Sequence, residues 1–444
     1  MSKYVFRETD NMAEFNKFSE ENGGSVYQTS YWAKVKSNWE PTFFMGFQGE
    51  TPVLAALCLQ RDVKMTKLWY CQDGFVCDTY NEELVAEFAS FIKAEMKKRK
   101  ICVLITDPLV FEIIDKERQD ISAVDSLFKA GFVRNPEEKR YEYLIQPTVT
   151  VQCRLTGFTP KTFLSKCEKG VRHGLNGAED GGLVAENYDA ESLRLHPEKM
   201  DDFYEVLTEV SDRVSFIQRE KNYYENIIYA LEGKAILTII YIDNDKRLEK
   251  YNDAKAKKET LEKELLTLEN AEKKDKKSIA SVKKEIETYT VTINRNERIE
   301  NELHEKYGDS YPQKIALSTG ITTHFGKTAI CLYGGTRNLL RNTLRTTHFL
   351  NWVRLKESFR QGMDYHDLGR ITGDPYDENN PLFGLCKYKK SYNGEVTEYV
   401  GEMYLIADIL KFKFFKDMFP VLMEIKNKFF KSVLKSKTVK NSAE

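Results

Sequence analysis

The residues best able to do chemistry in this 444-residue chain sit in short motifs spread along it, not in one catalytic signature. Tyr27-Gln28-Thr29-Ser30-Tyr31-Trp32-Ala33-Lys34-Val35-Lys36-Ser37-Asn38-Trp39 sets two tryptophans beside two lysines. Thr106-Asp107-Pro108 closes an apolar run. Phe216-Ile217-Gln218-Arg219 precedes Tyr223-Tyr224, and Tyr333-Gly334-Gly335-Thr336 follows another apolar run. Asp367-Leu368-Gly369 precedes Ile371. Tyr388-Lys389-Lys390-Ser391-Tyr392 lies within Gly384 to Gly394, followed by Glu398-Tyr399-Val400-Gly401-Glu402. The sequence has no GxxxxGK phosphate loop, no HExxH and no GxSxG nucleophile elbow. Its six histidines do not pair at metal-ligand spacing, so no metal or organic cofactor is expected. Lys64-Met65-Thr66-Lys67 faintly echoes a synthetase signature, but four residues carry little weight. Each motif also has a structural reading. Lys389 could be a surface lysine in a hairpin, Lys36 the wet face of a helix Tyr31–Trp39, and Arg219 one half of an ion pair. Asp107 before Pro108 is a common strand terminator. Trp32, Trp39 and Trp352 read as core.

Taken together, in this order, the motifs resemble the FemABX family, which builds peptidoglycan cross-bridges from aminoacyl-tRNA. The resemblance runs from about Phe15 to Tyr404, and an inserted helical arm makes the chain look most like the FemA, FemB and MurM type. It implies a fold of two tandem acetyltransferase-like α/β lobes. The family's F-K-x-x-F motif falls on Tyr388 to Tyr392, which implies that Lys389 is at the reaction centre with Tyr388 against substrate. W-x-x-x-K implies Lys36, and F-x-x-R implies Arg219, at the acceptor's phosphates. Asp107 matches a family acid near the peptide. The chain departs from the pattern in three places. Where the family often carries Pro-Arg-Gly-Pro, this chain reads Gln72-Asp73-Gly74-Phe75, so an arginine has become Asp73. Tyr-Asp-Phe-Gly-Gly reads His366-Asp367-Leu368-Gly369-Arg370, and Tyr388 stands for the usual Phe.

The implied reaction moves Gly, Ala or Ser from aminoacyl-tRNA to the amine of a muramyl pentapeptide, on lipid II or linked to UDP. Such an ester is already activated. The amine need only be neutral and held about 3 Å from the carbonyl. A fixed cation such as Lys389 would stabilise the developing oxyanion by roughly 3–4 kcal/mol. No covalent enzyme intermediate is required, which accounts for the missing nucleophile motif. Two other classes remain. An acyl-CoA-dependent acetyltransferase would need the pyrophosphate loop (Q/R-x-x-G-x-G/A) that both halves lack. A non-catalytic tRNA- or partner-binding protein would need only the arm.

The elements that must position these residues follow from hydrophobic patterning. Phe43 to Phe47 and Val53 to Leu59 read as buried strands, Glu82 to Lys97 as an amphipathic helix and Ile101 to Ile105 as a strand. A second cycle has a helix Asp201–Val210, strands Ala235–Ile242, Ile315–Thr319 and Ala329–Tyr333, and a helix Leu344–Arg360. The expected fold is therefore α/β (α+β), with a first lobe over 1–150 and a second over 151–243 and 308–404. Between them in sequence, 244–307 is rich in Lys and Glu and has neither Gly nor Pro. Apolar steps at Leu261, Leu265, Leu268 and at Ile279, Val282, Ile286, Tyr289, Ile293 mark a coiled-coil seam. A turn within Asn270–Ser278 would make an antiparallel helical hairpin with arms on the order of 40 Å. Its charge suits either a solvated face or a grip on something large.

The 67 basic and 68 acidic residues nearly cancel, so any basic surface must be local. The exception is 405–444, where apolar residues from Leu410 to Leu434 are interleaved with lysines. That basic amphipathic helix would either pack on a lobe or touch the inner membrane face. A homo- or hetero-dimer is a further expected assembly. Eight cysteines without zinc-knuckle spacing, no apolar signal run after Met1 and no stretch of about 18 apolar residues point to reduced thiols in a cytoplasmic protein.

Overall fold

The computed structural model describes residues 3–63, 66–77, 81–214, 218–271 and 275–416. Lys64-Met65, Phe216-Ile217, Lys273-Lys274 and the tail beyond Lys416 lie outside them, and with them most of the expected basic C-terminal helix. The chain builds two mixed sheets. The first runs Val5–Glu8, Glu40–Gln48, Thr51–Val63, Thr66–Cys71, Ile101–Thr106, Met403–Ile406, Phe132–Arg134, with the short Val76–Cys77 also paired to Thr51–Val63. The second runs Leu183–Tyr188, Ala235–Asp243, Lys314–Phe325, Thr328–Thr336, Tyr365–Ile371, Val149–Arg154, Glu395–Tyr399, Phe111–Ile114, Glu117–Arg118. Most pairs are antiparallel. The exceptions are Thr66–Cys71 with Ile101–Thr106 and Thr328–Thr336 with Tyr365–Ile371. Each parallel pair is joined through a helix, Glu82–Arg99 in one case and Thr346–Arg360 in the other.

The sheets cross the divide expected at residue 150. Phe111–Arg118 leaves the first lobe to edge the second sheet, and Met403–Ile406 returns to fill a gap in the first. One apolar core also spans both lobes. It packs Phe15, Trp32 and Leu57 with Phe203, Tyr224 and Ile239. Lys34–Glu232 and Lys234–Glu20 ion pairs bridge the same seam. The lobes therefore share apolar surface that neither could bury alone.

The arm is formed by helices Asn244–Asn270 and Lys276–Tyr307. Contacts from Arg247 to Glu300, Lys257 to Tyr289 and Glu269 to Lys283 show that they run antiparallel. Asp243 and Asp275 cap their N-termini with side-chain carboxylates. Leu261, Leu265 and Leu268 are half-buried, whereas Leu266 is 60% exposed, so the stepped leucines are the covered ones. The base of the arm is lobe core. Ile299 and Leu303 are fully buried with Ile240, Ile242 and Leu344. Arg247, 1% exposed, bonds Asn244, Glu300 and Tyr311 there. No disulfide links the eight cysteines, six of which are buried. Among the described residues, no helix is long and apolar enough to cross a membrane.

Candidate active site

A cavity of about 730 Å³ opens between the lobes. It exists because the parallel pair of the second sheet splays. Thr328, Ala329 and Ile330 pair with Tyr365, His366 and Asp367, and beyond them the two strands turn to different neighbours. Cys331 and Tyr333 line one side of the split, and Leu368, Gly369 and Arg370 the other. The first lobe covers it with Tyr27, Trp32, Lys36, Gln72 and Asp73.

Lys389 lies on the last turn of the helix Phe383–Lys390, not in a hairpin, and is 8% exposed. Its ammonium donates to the Gly369 carbonyl at 2.6 Å and lies 3.5 Å from that of Arg370. Gly369 has φ +91°, and a Cβ there would come within 3.1 Å of the Cys331 carbonyl, so only glycine fits beside the lysine. Burial pushes the Lys389 pKa down, while Asp367 pulls it up. Asp367 is itself fixed by Thr150, Gln152 and the Gly369 N–H.

Tyr388 also lines the cavity. Its hydroxyl accepts from Asn351 at 3.0 Å, donates to the Thr347 carbonyl at 3.1 Å and meets the Tyr392 hydroxyl at 3.1 Å. Burial raises its pKa to about 12. Arg354, which the motifs did not single out, threads its guanidinium against the second sheet. It donates to Thr322 at 2.6 Å and to the Ile321 carbonyl at 3.0 Å. A Cβ at Gly320 or Gly334 would sit 3.0 or 3.3 Å from that guanidinium, which accounts for the first glycine after Tyr333, while a Cβ at Gly335 would meet Val210 at 2.9 Å.

Lys36 lies at the opposite wall. The helix Ser30–Val35 ends earlier than expected, and Lys36 is its C-cap residue. The ammonium sits 4.9 Å from the Trp32 ring centre and 3.5 Å from the Tyr223 hydroxyl. Trp32 is thus both core and cavity wall, with its indole N–H on Gln72 at 3.0 Å. Arg219 is exposed and does not line the cavity. Its guanidinium stands 5.7 Å from the Tyr223 ring centre and the Lys36 ammonium 5.9 Å, so one ring is shared by two cations.

Asp107 lies one layer behind the wall. The parallel register puts Cys71 beside Thr106, so the turns after both strands meet. The Asp107 carboxylate accepts the Asp73 N–H at 2.9 Å and the Tyr70 hydroxyl at 3.2 Å. That bond holds Asp73 in a left-handed conformation, φ +58°. Burial, then the Asp73 charge, pushes the Asp107 pKa well up. The structure therefore gathers Lys36, Tyr388 and Lys389 around one cavity, sets Asp107 behind it and leaves Arg219 at its outer edge. Among the described residues, no cluster of His, Cys, Asp or Glu could hold a metal.

The FemAB family model matches residues 11–418. The lipid II:glycine glycyltransferase of Staphylococcus aureus strain USA300 is 25% identical over 417 residues, covering 91% of this chain and 93% of the relative. Another S. aureus lipid II:glycine glycyltransferase is 26% identical over 418 residues. The crystal structure of FemX superposes with a TM-score of 0.71 at 22% identity, over 90% of this chain and 97% of that one, so the fold is shared. With the family model matched across nearly the whole chain, this protein belongs to the FemAB family.

Proposed function

We propose that this chain is an aminoacyltransferase that moves glycine from an aminoacyl-tRNA to an amine of the lipid II stem peptide. The observation that carries the reading is a buried lysine fixed on backbone carbonyls inside a cavity built at a splayed strand pair. The glycyltransferase named for the relatives supports the amino acid and the lipid-linked acceptor. The aminoacyl ester would enter the split so that its carbonyl oxygen approaches the Lys389 ammonium. Two bonds to carbonyls hold that ammonium at fixed position, so little reorganisation is needed as charge develops. The Tyr388 hydroxyl, anchored by Asn351 and Thr347, would orient the ester. Lys36 would hold acceptor phosphate, with Arg219 adding a second cation outside it. Asp107 acts through Asp73 by fixing its backbone. The test is single-turnover transfer of labelled glycine from Gly-tRNA to lipid II in detergent micelles, with Ala-tRNA, Ser-tRNA and acetyl-CoA as competing donors. Label appearing in lipid II from Gly-tRNA alone supports the reading, and acetyl transfer instead would replace it.

A further inference from the structure

Two departures from the family pattern meet in the cavity wall. The usual loop arginine is replaced by Asp73, and a new arginine stands at 370, 297 residues away. The Arg370 guanidinium donates to the Asp73 carboxylate at 3.1 Å, and both side chains line the cavity. The pair is built, not incidental. Arg370 also donates to the Pro147 carbonyl at 2.9 Å, and its guanidinium lies 4.3 Å from the Tyr399 ring centre. The Asp73 side chain is only 2% exposed, and the Asp107 carboxylate holds its N–H. Lys389 grips the carbonyls of residues 369 and 370, so the carboxylate and the ammonium are both registered to Arg370.

We propose that Asp73, oriented by Arg370, receives the primary ammonium of the acceptor peptide and takes the proton it must lose before attack. The inference rests on the function proposed above. An amine arrives protonated at neutral pH, and an ammonium is not a nucleophile. One N–H bond breaks, and its proton passes to the Asp73 carboxylate. The nitrogen pair then forms the C–N bond to the ester carbonyl carbon. As the C–O bond to the ribose breaks, the leaving oxygen takes the second proton from nitrogen. Asp73 returns its proton to solvent, so each turnover releases one proton with the amide and the free alcohol.

The charges around Asp73 suit this task. Arg370 favours its ionised form. Burial opposes that form most strongly, and the Asp367 charge adds to it, while a hydrogen bond from Ser25 favours it and the Asp107 carboxylate, itself pushed well up, lies behind. The balance raises the Asp73 pKa to about 6, close to the value a base needs at neutral pH. Asp107 does not line the cavity, and Asp367, which does, is taken up by Thr150, Gln152 and the Gly369 N–H, so Asp73 is the lining acid placed to meet the amine.

The experiment uses the full chain with two soluble muramyl pentapeptides, one with a free side-chain amine and one with that amine acetylated. Wild type is expected to bind the free amine at least tenfold more tightly at pH 7.5 and to lose that preference below about pH 6. Asp73→Asn should bind the acetylated peptide like wild type, showing an intact fold, yet show no amine preference. In glycine transfer its turnover should fall roughly 10²–10⁴-fold and the acid limb of its pH profile should vanish. Arg370→Gln keeps the carboxylate but removes its cation, so the acid limb should move to higher pH, a shift that a purely structural role would not give. An active wild type whose amine preference and acid limb survive in Asp73→Asn overturns the inference alone. A wild type that neither binds these peptides nor transfers glycine to lipid II overturns the proposed function, and the role of Asp73 with it.

Discussion

At the residue scale, Lys389 and Lys36 answer to different steps, and their variants should separate. Lys389→Ala removes a cation aimed at the oxyanion and should lower turnover roughly 10²–10³-fold while acceptor binding stays near wild type. Measured kcat equal to wild type would remove Lys389 from the mechanism. Lys36→Ala removes a phosphate contact made in both ground and transition states. It should raise the acceptor KM about tenfold, the worth of one charge-assisted bond, with little change in kcat. Arg219→Ala should act in the same direction but more weakly, because it is exposed and screened by salt. An unchanged KM in both would move the phosphates elsewhere. Lys36, Tyr388 and Lys389 were legible because each sits inside a short motif. Asp73 was legible only as an oddity and Arg370 only as a misfit, since their meaning is an ion pair across 297 positions. Arg354 left no motif of its own. Its signal was Gly334, where a side chain would meet the guanidinium; its neighbour Gly335 is kept small by Val210 and Leu207 instead.

At the element scale, helices and strands matched hydrophobic period well where one face is buried. Glu82–Arg99 is a case, while Ala235–Asp243, buried on both faces, showed as a continuous apolar run. The helix Ser30–Val35 was overextended because Trp39 continues the apolar pattern, yet Trp39 belongs to a turn closed by its N–H on the Lys36 carbonyl. The arm divides in energetic terms. Its lower turns are core, so Ile299→Ala should cost about 2–5 kcal/mol, read by denaturant unfolding. Leu266→Ala on the exposed side should stay within about 0.5 kcal/mol. For the same reason, excising all of 244–307 should unfold the second lobe. Replacing only 258–289 by a Gly-Ser loop should leave both lobes folded. If the arm grips tRNA, the shortened protein should bind it more weakly and with a shallower salt dependence, because fewer counterions are released. Identical salt slopes would assign the arm to a protein partner.

At the scale of the whole molecule, two repeated α/β cycles were readable, but their interlocking was not. Nothing in a local pattern says that Met403–Ile406 pairs with Ile101–Thr106, because strand partners are chosen by tertiary packing. That exchange, with the core shared by Phe15, Trp32, Phe203 and Tyr224, makes the lobes one folding unit around the cavity between them. A single cooperative transition follows from it, and so does a rigid frame between the Lys36 wall and the Lys389 wall. The central claim is that this frame joins an activated amino acid to a peptide amine without a covalent enzyme intermediate. The most direct measurement mixes stoichiometric enzyme, lipid II and Gly-tRNA labelled in the glycine, then follows the label in lipid II, in tRNA and on the protein. The account predicts label passing from tRNA to lipid II with none trapped on the acid-quenched chain. Label accumulating on the protein before lipid II, or never leaving the tRNA, would contradict it.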